Sequence, residues 1–305
     1  MNDFRVALAQ ITCPIGELEA NLSKHCAYAE QAAAMQADAI CFPECSLTGY
    51  PEFTDDSISS YAQELNGELV NSLALLSGRT GLLVLAGMVE AGDGCLYITQ
   101  VVAGEGTVLG RYRKVHMAAP EAACYAVGDE LPVWQYRGTT FGIQICFDNH
   151  FGEAARILAL QGASIIFCPY ASPGPCTQEG YKAKQARWLR YQPARAFDNG
   201  IYLCVANQVG RSRRADNYAP NDTPATSPEN THCGMTEYPG GSMVINPWGE
   251  VIVRARSGGE DLVVADVSAA TLEAKRRDEI QFFERYRRPE LYAGLVRNDL
   301  RSGGC

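Results

Sequence analysis

Apolar positions along this chain follow two rhythms, one suited to strands and one to helices. Phe4–Ile11 alternates and predicts a first strand. Glu17–Met35 then places Leu18, Leu22, Ala29, Ala32 and Ala33 on one side, the spacing of an amphipathic helix. Ala39–Phe42 is a short apolar strand stopped by Pro43, Ser57–Leu76 a second helix, and Gly81–Val89 a strongly apolar strand. Tyr97–Val102 and Thr107–Lys114 flank the turn Ala103-Gly104-Glu105-Gly106 and predict a hairpin.

The second half repeats the theme. Thr140–Ile145 and Ser164–Pro169 read as strands around a helix over Gly152–Gln161. Gln178–Asp198 is one long helical pattern with Pro193 inside it, which predicts a kink or a break. Ile201–Asn207 is a buried strand. Met243–Asn246 and Val251–Ala255 flank Pro-Trp-Gly-Glu as a second hairpin, and a strand over Leu262–Val267 and a helix over Ala269–Asp278 follow. The polar stretch Arg211–Gly234 reads as a loop, either a lid or a simple insertion. Helices alternating with strands, with hairpins interspersed, predict mixed sheets with helices on one face of each, packed as layers. No break in composition marks a linker. Residues 1–282 therefore read as one domain, followed by an extended tail over residues 283–305 that carries Arg285, Arg287 and Arg288.

Composition removes several function classes. With 305 residues, 47% apolar and 20% charged, the chain can bury a core without a disulfide or metal staple. Its net charge of −9 argues against binding nucleic acid or an anionic lipid surface. No run of 18 apolar residues offers a membrane span. The N-terminus enters a strand-like segment directly, without the basic and apolar regions of a signal peptide. The 12 cysteines are scattered through apolar segments, as Cys41, Cys168 and Cys204 are, and read as reduced core residues of a cytoplasmic protein. No CxxC pair occurs, and His25, His116, His150 and His232 do not fall at metal-ligand spacings, so no metal site is expected.

Three segments carry candidate chemistry. In Phe141-Gly-Ile-Gln-Ile-Cys146-Phe-Asp-Asn-His150 an apolar strand ends at a cysteine, followed by a polar turn and a helix. That places Cys146 at the carboxyl end of a strand, where α/β sites form, and a nearby helix N-terminus would favour its thiolate. In Ile40-Cys-Phe-Pro-Glu44 a carboxylate follows a buried strand, where partial desolvation raises its pKa toward that of a general base. Lys114 ends the outgoing strand of the first hairpin, with His116 beside it. Taken singly, each has an ordinary reading: a core cysteine, a surface or capping glutamate, a solvated lysine, a hydrogen-bonded structural histidine. His116 or His150 also leaves open a Cys/His thiol hydrolase.

Together, and in this order, the three segments resemble the carbon–nitrogen hydrolase (nitrilase) family. The resemblance rests on Phe42-Pro43-Glu44 with Leu47, Gly49 and Tyr50, on Arg113-Lys114-Val115-His116, and on Cys146-Phe147-Asp148 with Phe151 and Glu153. Pro193-Ala-Arg-Ala-Phe-Asp-Asn199 and Arg287-Arg-Pro-Glu-Leu-Tyr292 extend it over nearly the whole chain. It implies a four-layer αββα sandwich with two mixed sheets, a homodimer or higher homo-oligomer with the tail packed on the partner subunit, and a Glu44–Lys114–Cys146 triad supported by Glu121. Tyr50, Phe147, Asn149, His150 and Tyr170 are then the candidate substrate-binding residues. It also implies hydrolysis of a small linear amide or N-carbamoyl C–N bond through a thioester on Cys146, without metal or organic cofactor.

Phe147-Asp148 after the cysteine resembles the amidase and carbamoylase branches, whereas nitrilases usually carry Trp-Glu there. Branches that clamp a carboxylate often place Arg just after that Asp. Asn149-His150 stands here instead, nearer the pattern of N-carbamoylputrescine amidases, and implies a substrate with a neutral or cationic tail. Gly152 departs from that pattern, in which Pro is common. Nitrile hydrolysis and a catalytically idle scaffold are the alternatives. Lipoprotein acyltransferases need membrane spans and glutamine-dependent NAD synthetases need an ATP-using domain, so neither branch fits.

Overall fold

The computed structural model describes residues 1–51, 58–213, 235–256 and 258–296. The first sheet is built from β1 (Phe4–Gln10), β2 (Ala39–Cys41), β3 (Leu83–Gly92), β4 (Cys95–Gly104), β5 (Thr107–Arg113) and β14 (Asp261–Val267), in the order β14-β1-β2-β3-β4-β5. The second contains β6 (Val133–Tyr136), β7 (Thr139–Ile143), β8 (Ile165–Tyr170), β9 (Tyr202–Asn207), β12 (Met243–Ile245) and β13 (Val251–Arg254), in the order β13-β12-β9-β8-β7-β6. Each sheet has a parallel centre, β1-β2-β3 in one and β7-β8-β9 in the other, flanked by antiparallel strands. A two-stranded ribbon joins β10 (Val209–Arg213) to β11 (Met235–Pro239).

Alternation along the strands builds three cores from two sheets. On β1, Val6 and Leu8 enter the core between the sheets, while Ala7 and Ala9 enter the core beneath the helices. On β8, Ile165 and Phe167 face the first sheet, whereas Ile166, Cys168 and Tyr170 face helices on the other side. The helices α1 (Leu18–Ala34) and α3 (Glu68–Thr80) cover the first sheet. The helices α4 (Gly152–Leu160), α5 (Gln178–Trp188) and α6 (Gln192–Asn199) cover the second. The result is the expected four-layer αββα sandwich.

Several local expectations are corrected. The helix expected over Ser57–Leu76 is two elements, α2 (Ile58–Tyr61) and α3; Ser57 itself lies outside the described residues. Gln63 leaves the helix to bridge Glu90, and Gly67 takes an extended conformation as the residue before α3, so the turn at Asn66-Gly67 overrides the helical spacing. Pro193 does break the long pattern: α5 ends at Trp188, and Pro193 sits in the first turn of α6, where its missing N–H costs nothing. Strand β6 was not evident from the pattern. Its partner β7 is reached through Arg137-Gly138, both at positive φ, as at Asp93-Gly94 and Glu105-Gly106. Arg211–Arg213, expected as loop, belong to β10; positions 214–234 of that stretch lie outside the described residues. The helix α7 (Ala269–Arg277) precedes a tail containing short 3-10 turns at Phe283–Tyr286 and Pro289–Val296.

His25 ties α1 to the turn after β2. Its Nδ1–H donates to the Asn21 carbonyl at 2.7 Å, and its Nε2 accepts from Ser46 at 2.9 Å, so the buried ring is neutral. Burial lowers its pKa from 6.5 to about 4, opposed by the Asn21 carbonyl and aided by Lys24. The unfolded chain takes up this proton near pH 6.5 and the folded chain only near 4, so acid favours unfolding. Stability should fall by about 3 kcal/mol as pH drops through that window. Urea unfolding at pH 7 and pH 4.5 measures the difference, and a His25→Gln variant should show a smaller one.

Candidate active site

The carboxyl ends of parallel strands from both sheets converge on one place. Beyond β2 the chain turns at Pro43 and presents Glu44; beyond β7 it presents Cys146; beyond β8 it presents the Ala171 N–H. Lys114 follows β5, at the end of the first hairpin, and its backbone N–H still pairs with Ile98 at 2.9 Å. Glu121 stands seven residues later in a short 3-10 turn, Glu121–Ala123.

These side chains form one buried network. The Lys114 ammonium donates to Glu44 Oε1 at 2.9 Å and to Glu121 Oε1 at 2.5 Å. Glu44 Oε2 accepts the Ala171 N–H at 2.9 Å. Glu121 also accepts from the Tyr50 hydroxyl at 2.6 Å and from the Ala118 N–H at 2.7 Å. All three charged side chains are at most 2% exposed. Two carboxyl groups and one ammonium are thus shut into low dielectric, where each acts strongly on the charge of its neighbours.

Burial pushes the Cys146 thiol well above its usual pKa, and the charge of Glu44 adds to this more than Lys114 relieves it. The expected helix N-terminus does not reverse this effect, because Cys146 opens a five-residue 3-10 turn, Cys146–His150, rather than α4. The resting sulfur is therefore a thiol under the influence of Glu44. For Glu44, burial raises the pKa, Lys114 opposes it and Glu121 adds to it, with a net upward shift. A raised carboxylate beside a raised thiol matches a base to its proton donor. Burial alone would strip Lys114 of its proton, but the neighbouring Glu44 and Glu121 carboxyls oppose it and the net shift of Lys114 is upward. Of its three N–H bonds, two point at the carboxylates and one is left for another acceptor.

Cys146 sits at φ 44°, a left-handed conformation costing a non-glycine residue on the order of 1 kcal/mol. The fully buried Asp148 holds this turn. Its carboxylate accepts from the Ile145 N–H at 3.0 Å, the Tyr112 hydroxyl at 2.7 Å, the His116 N–H at 2.8 Å and His116 Nδ1 at 2.9 Å. His116 is thus committed to Asp148 and stacks on Phe151 at 3.8 Å, which removes it as a base for Cys146. Asp148, Tyr112 and Ala171 received no role from the sequence. Asp148 stood inside the quoted motif, whereas the other two become neighbours only through the fold.

The remaining candidates line the side formed by α5 and α6. Tyr170 is buried at the end of β8; its hydroxyl accepts from Asn149 at 3.1 Å and Gln192 at 3.2 Å, so Asn149 points to Tyr170. Phe147 and His150 pack ring to ring at 5.3 Å, and His150 lies 4.6 Å from the Tyr191 ring. His150 is exposed, and burial of part of its ring together with Arg187 and Arg195 lowers its pKa, so it is neutral at pH 7. Arg195 donates to the carbonyls of Asn149 at 3.2 Å and His150 at 2.8 Å. Gly152 lies beside that guanidinium, and a Cβ there would come within 3.3 Å of it.

Known proteins have a similar fold and a related sequence. The chain is 29% identical over 290 residues to a nitrilase of Pyrococcus abyssi, covering 94% of this chain and 98% of that one. It is 28% identical over 309 residues to the omega-amidase NIT2 of Homo sapiens, covering 96% and 98%. A solved amidase of the nitrilase superfamily from Nesterenkonia AN1 superposes with a TM-score of 0.76 at 24% identity, covering 96% of this chain and 97% of that one. One structure of that amidase shows covalent addition of the acetamide moiety of fluoroacetamide at its active-site cysteine. Residues 5–277 match the carbon–nitrogen hydrolase family as a whole, and this chain belongs to that family.

Proposed function

We propose that this protein hydrolyses a small linear amide or N-carbamoyl C–N bond through a thioester on Cys146. The observation that carries the reading is the buried contact between the Glu44 carboxylate and the Lys114 ammonium, with the part-exposed Cys146 thiol close enough for both to act on its charge. Glu44 accepts the thiol proton and the sulfur attacks the carbonyl carbon. The third N–H of Lys114 and the Phe147 backbone N–H hold the oxyanion. Glu44 returns the proton to the leaving nitrogen, then deprotonates the water that hydrolyses the thioester. Glu121 and Tyr50 keep Lys114 in place. Addition at the active-site cysteine of the Nesterenkonia amidase supports a cysteine nucleophile here.

The substrate tail is uncharged in this reading. Arg187 and Arg195 beside His150 disfavour a cation, which narrows the neutral-or-cationic expectation. Arg195 is tied to two carbonyls and is not available as a carboxylate clamp. Nitrile hydrolysis remains the second reading, favoured by the Pyrococcus relative. The ten described cysteines are all free thiols, which supports the cytoplasm as location. Leu291, Leu295 and Val296 are each at least 66% exposed, which supports a tail packed on a partner subunit in a homodimer.

Ammonia release from a panel of amides, N-carbamoyl amines, N-carbamoyl amino acids, dicarboxylic monoamides and nitriles tests the reading. Neutral amides or carbamoyl compounds should be turned over, and Cys146→Ala should fold and do nothing. A dicarboxylic monoamide as best substrate would refute the tail assignment, and turnover of nitriles alone would favour the second reading. Lys114→Met should lower the rate about 100–1,000-fold. On the acid side, kcat/KM should fall through the Glu44 pKa, at a pH above the ordinary carboxylate value of 4.5. Asp148→Asn should misplace the sulfur and lower kcat about 100-fold, with Cys146 still present to be labelled.

A further inference from the structure

A second buried lysine stands behind Glu44, with neighbours unlike those of Lys114. Lys184 lies on the inward side of α5 and is 6% exposed. It donates to Ser172 Oγ at 2.8 Å and to the Pro173 carbonyl. The charged or ionisable groups that act on it are Arg187, one turn along the helix, and Cys146 across the site; among the described residues it has no carboxylate partner. The Trp188 ring lies 5.8 Å away. A desolvated ammonium without a counterion is costly, so these two hydrogen bonds need an account beyond stability.

The atoms it binds supply that account. Ser172 and Pro173 follow directly on Ala171, whose N–H holds Glu44 Oε2. The β8–β9 pairing ends at Tyr170 and Asn207, so residues 171–173 run beyond the sheet. Their backbone is fixed on one side by the bond from the Ser172 N–H to Asn207 Oδ1 at 2.9 Å, and on the other by Lys184. Lys114 reaches Glu44 through Oε1 alone, which leaves rotation of the carboxylate to be stopped at Oε2.

We infer that Lys184 is a positioning residue for Glu44: it clamps residues 171–173 so that the Ala171 N–H sets the orientation of the carboxylate facing Cys146. The inference rests on the reading of Glu44 as the base. Groups facing Glu44 are Lys114 after β5, Glu121 in its 3-10 turn, Cys146 after β7, the Ala171 N–H after β8, and Cys45 and Tyr50 on its own turn. The Ala171 bond favours the ionised carboxylate, so loosening it moves Glu44 further up.

Lys184→Met, Lys184→Arg and Ser172→Ala in the full chain test this by two readouts. One is the pH profile of kcat and KM on whichever compound of the panel is turned over. The other needs no turnover: alkylation of Cys146 by iodoacetamide against pH, resolved from the other cysteines by mass spectrometry. Lys184→Met should lower kcat about 10-fold or more with little change in KM, and move the acid limb of both profiles to higher pH. Ser172→Ala should act in the same direction more weakly, and Lys184→Arg should restore both. If Lys184→Met fails to fold, Ser172→Ala and Lys184→Arg decide the question. Unshifted limbs in Lys184→Met or, failing that, in Ser172→Ala would overturn the inference. Glu44→Gln separates the two claims. An unchanged alkylation profile in Glu44→Gln refutes Glu44 as base, whereas a changed one with none in Lys184→Met refutes only the role of Lys184.

Discussion

One ammonium held between two carboxylates governs this molecule. Lys114 sits in the interior with Glu44 and Glu121 on either side, and each member makes sense only with the others present. A lone buried charge of any of these types would neutralise itself by a shifted pKa. Together they hold one another out of water, and further donors from Ala171, Ala118 and Tyr50 satisfy the carboxyl oxygens. A fold optimised for stability alone could fill this space with apolar side chains. In the proposed reading the network is stored electrostatics, with Glu44 as proton acceptor for the Cys146 thiol and Lys114 as donor to the oxygen where charge develops.

The two sheets exist in a form that allows this meeting. Each has parallel strands at its centre, and the strands that carry the site end at one rim of the sandwich. Small residues on the outer faces, such as Ala7 and Ala9 on β1, leave space for α1 and α3. Larger ones, such as Val6, Leu8, Phe141 and Phe167, fill the seam between the sheets. This rigid seam lets Asp148 hold Cys146 at φ 44°, since four hydrogen bonds to one carboxylate offset the strain of the turn. Conformational strain and desolvation thus sit side by side at the site, supported by the packing around them.

Some of this could be read directly from the chain. Alternation over Phe4–Ile11, the apolar run Ile201–Asn207, the turn at Glu105-Gly106 and the helical spacing of α1 are local signals, and the structure carries them with shifts of about one residue at the ends. Glu44, Lys114 and Cys146 were legible because each lies inside a contiguous motif at a strand end. The four-layer sandwich came from resemblance together with the mixture of hairpins and helices. Where local spacing misled, as at Gln63–Gly67, a bridge to Glu90 outweighed a helical pattern.

What the sequence determined by itself, then, is most of the strands and helices and the choice of candidate reactive groups, because both depend on neighbours within a few residues. The tertiary structure alone decided the electrical state of those groups. A thiol expected to be activated by a helix end is instead pushed up by burial and by Glu44, a residue from the other sheet. Asp148 gains Tyr112 across 36 positions, and Glu44 gains Ala171 across 127. Lys184 gains its contact with Ser172, next to the residue that binds Glu44, only once α5 folds over the end of β8. Protonation depends on distance and dielectric, and neither exists until strands far apart in sequence have closed the water out between them.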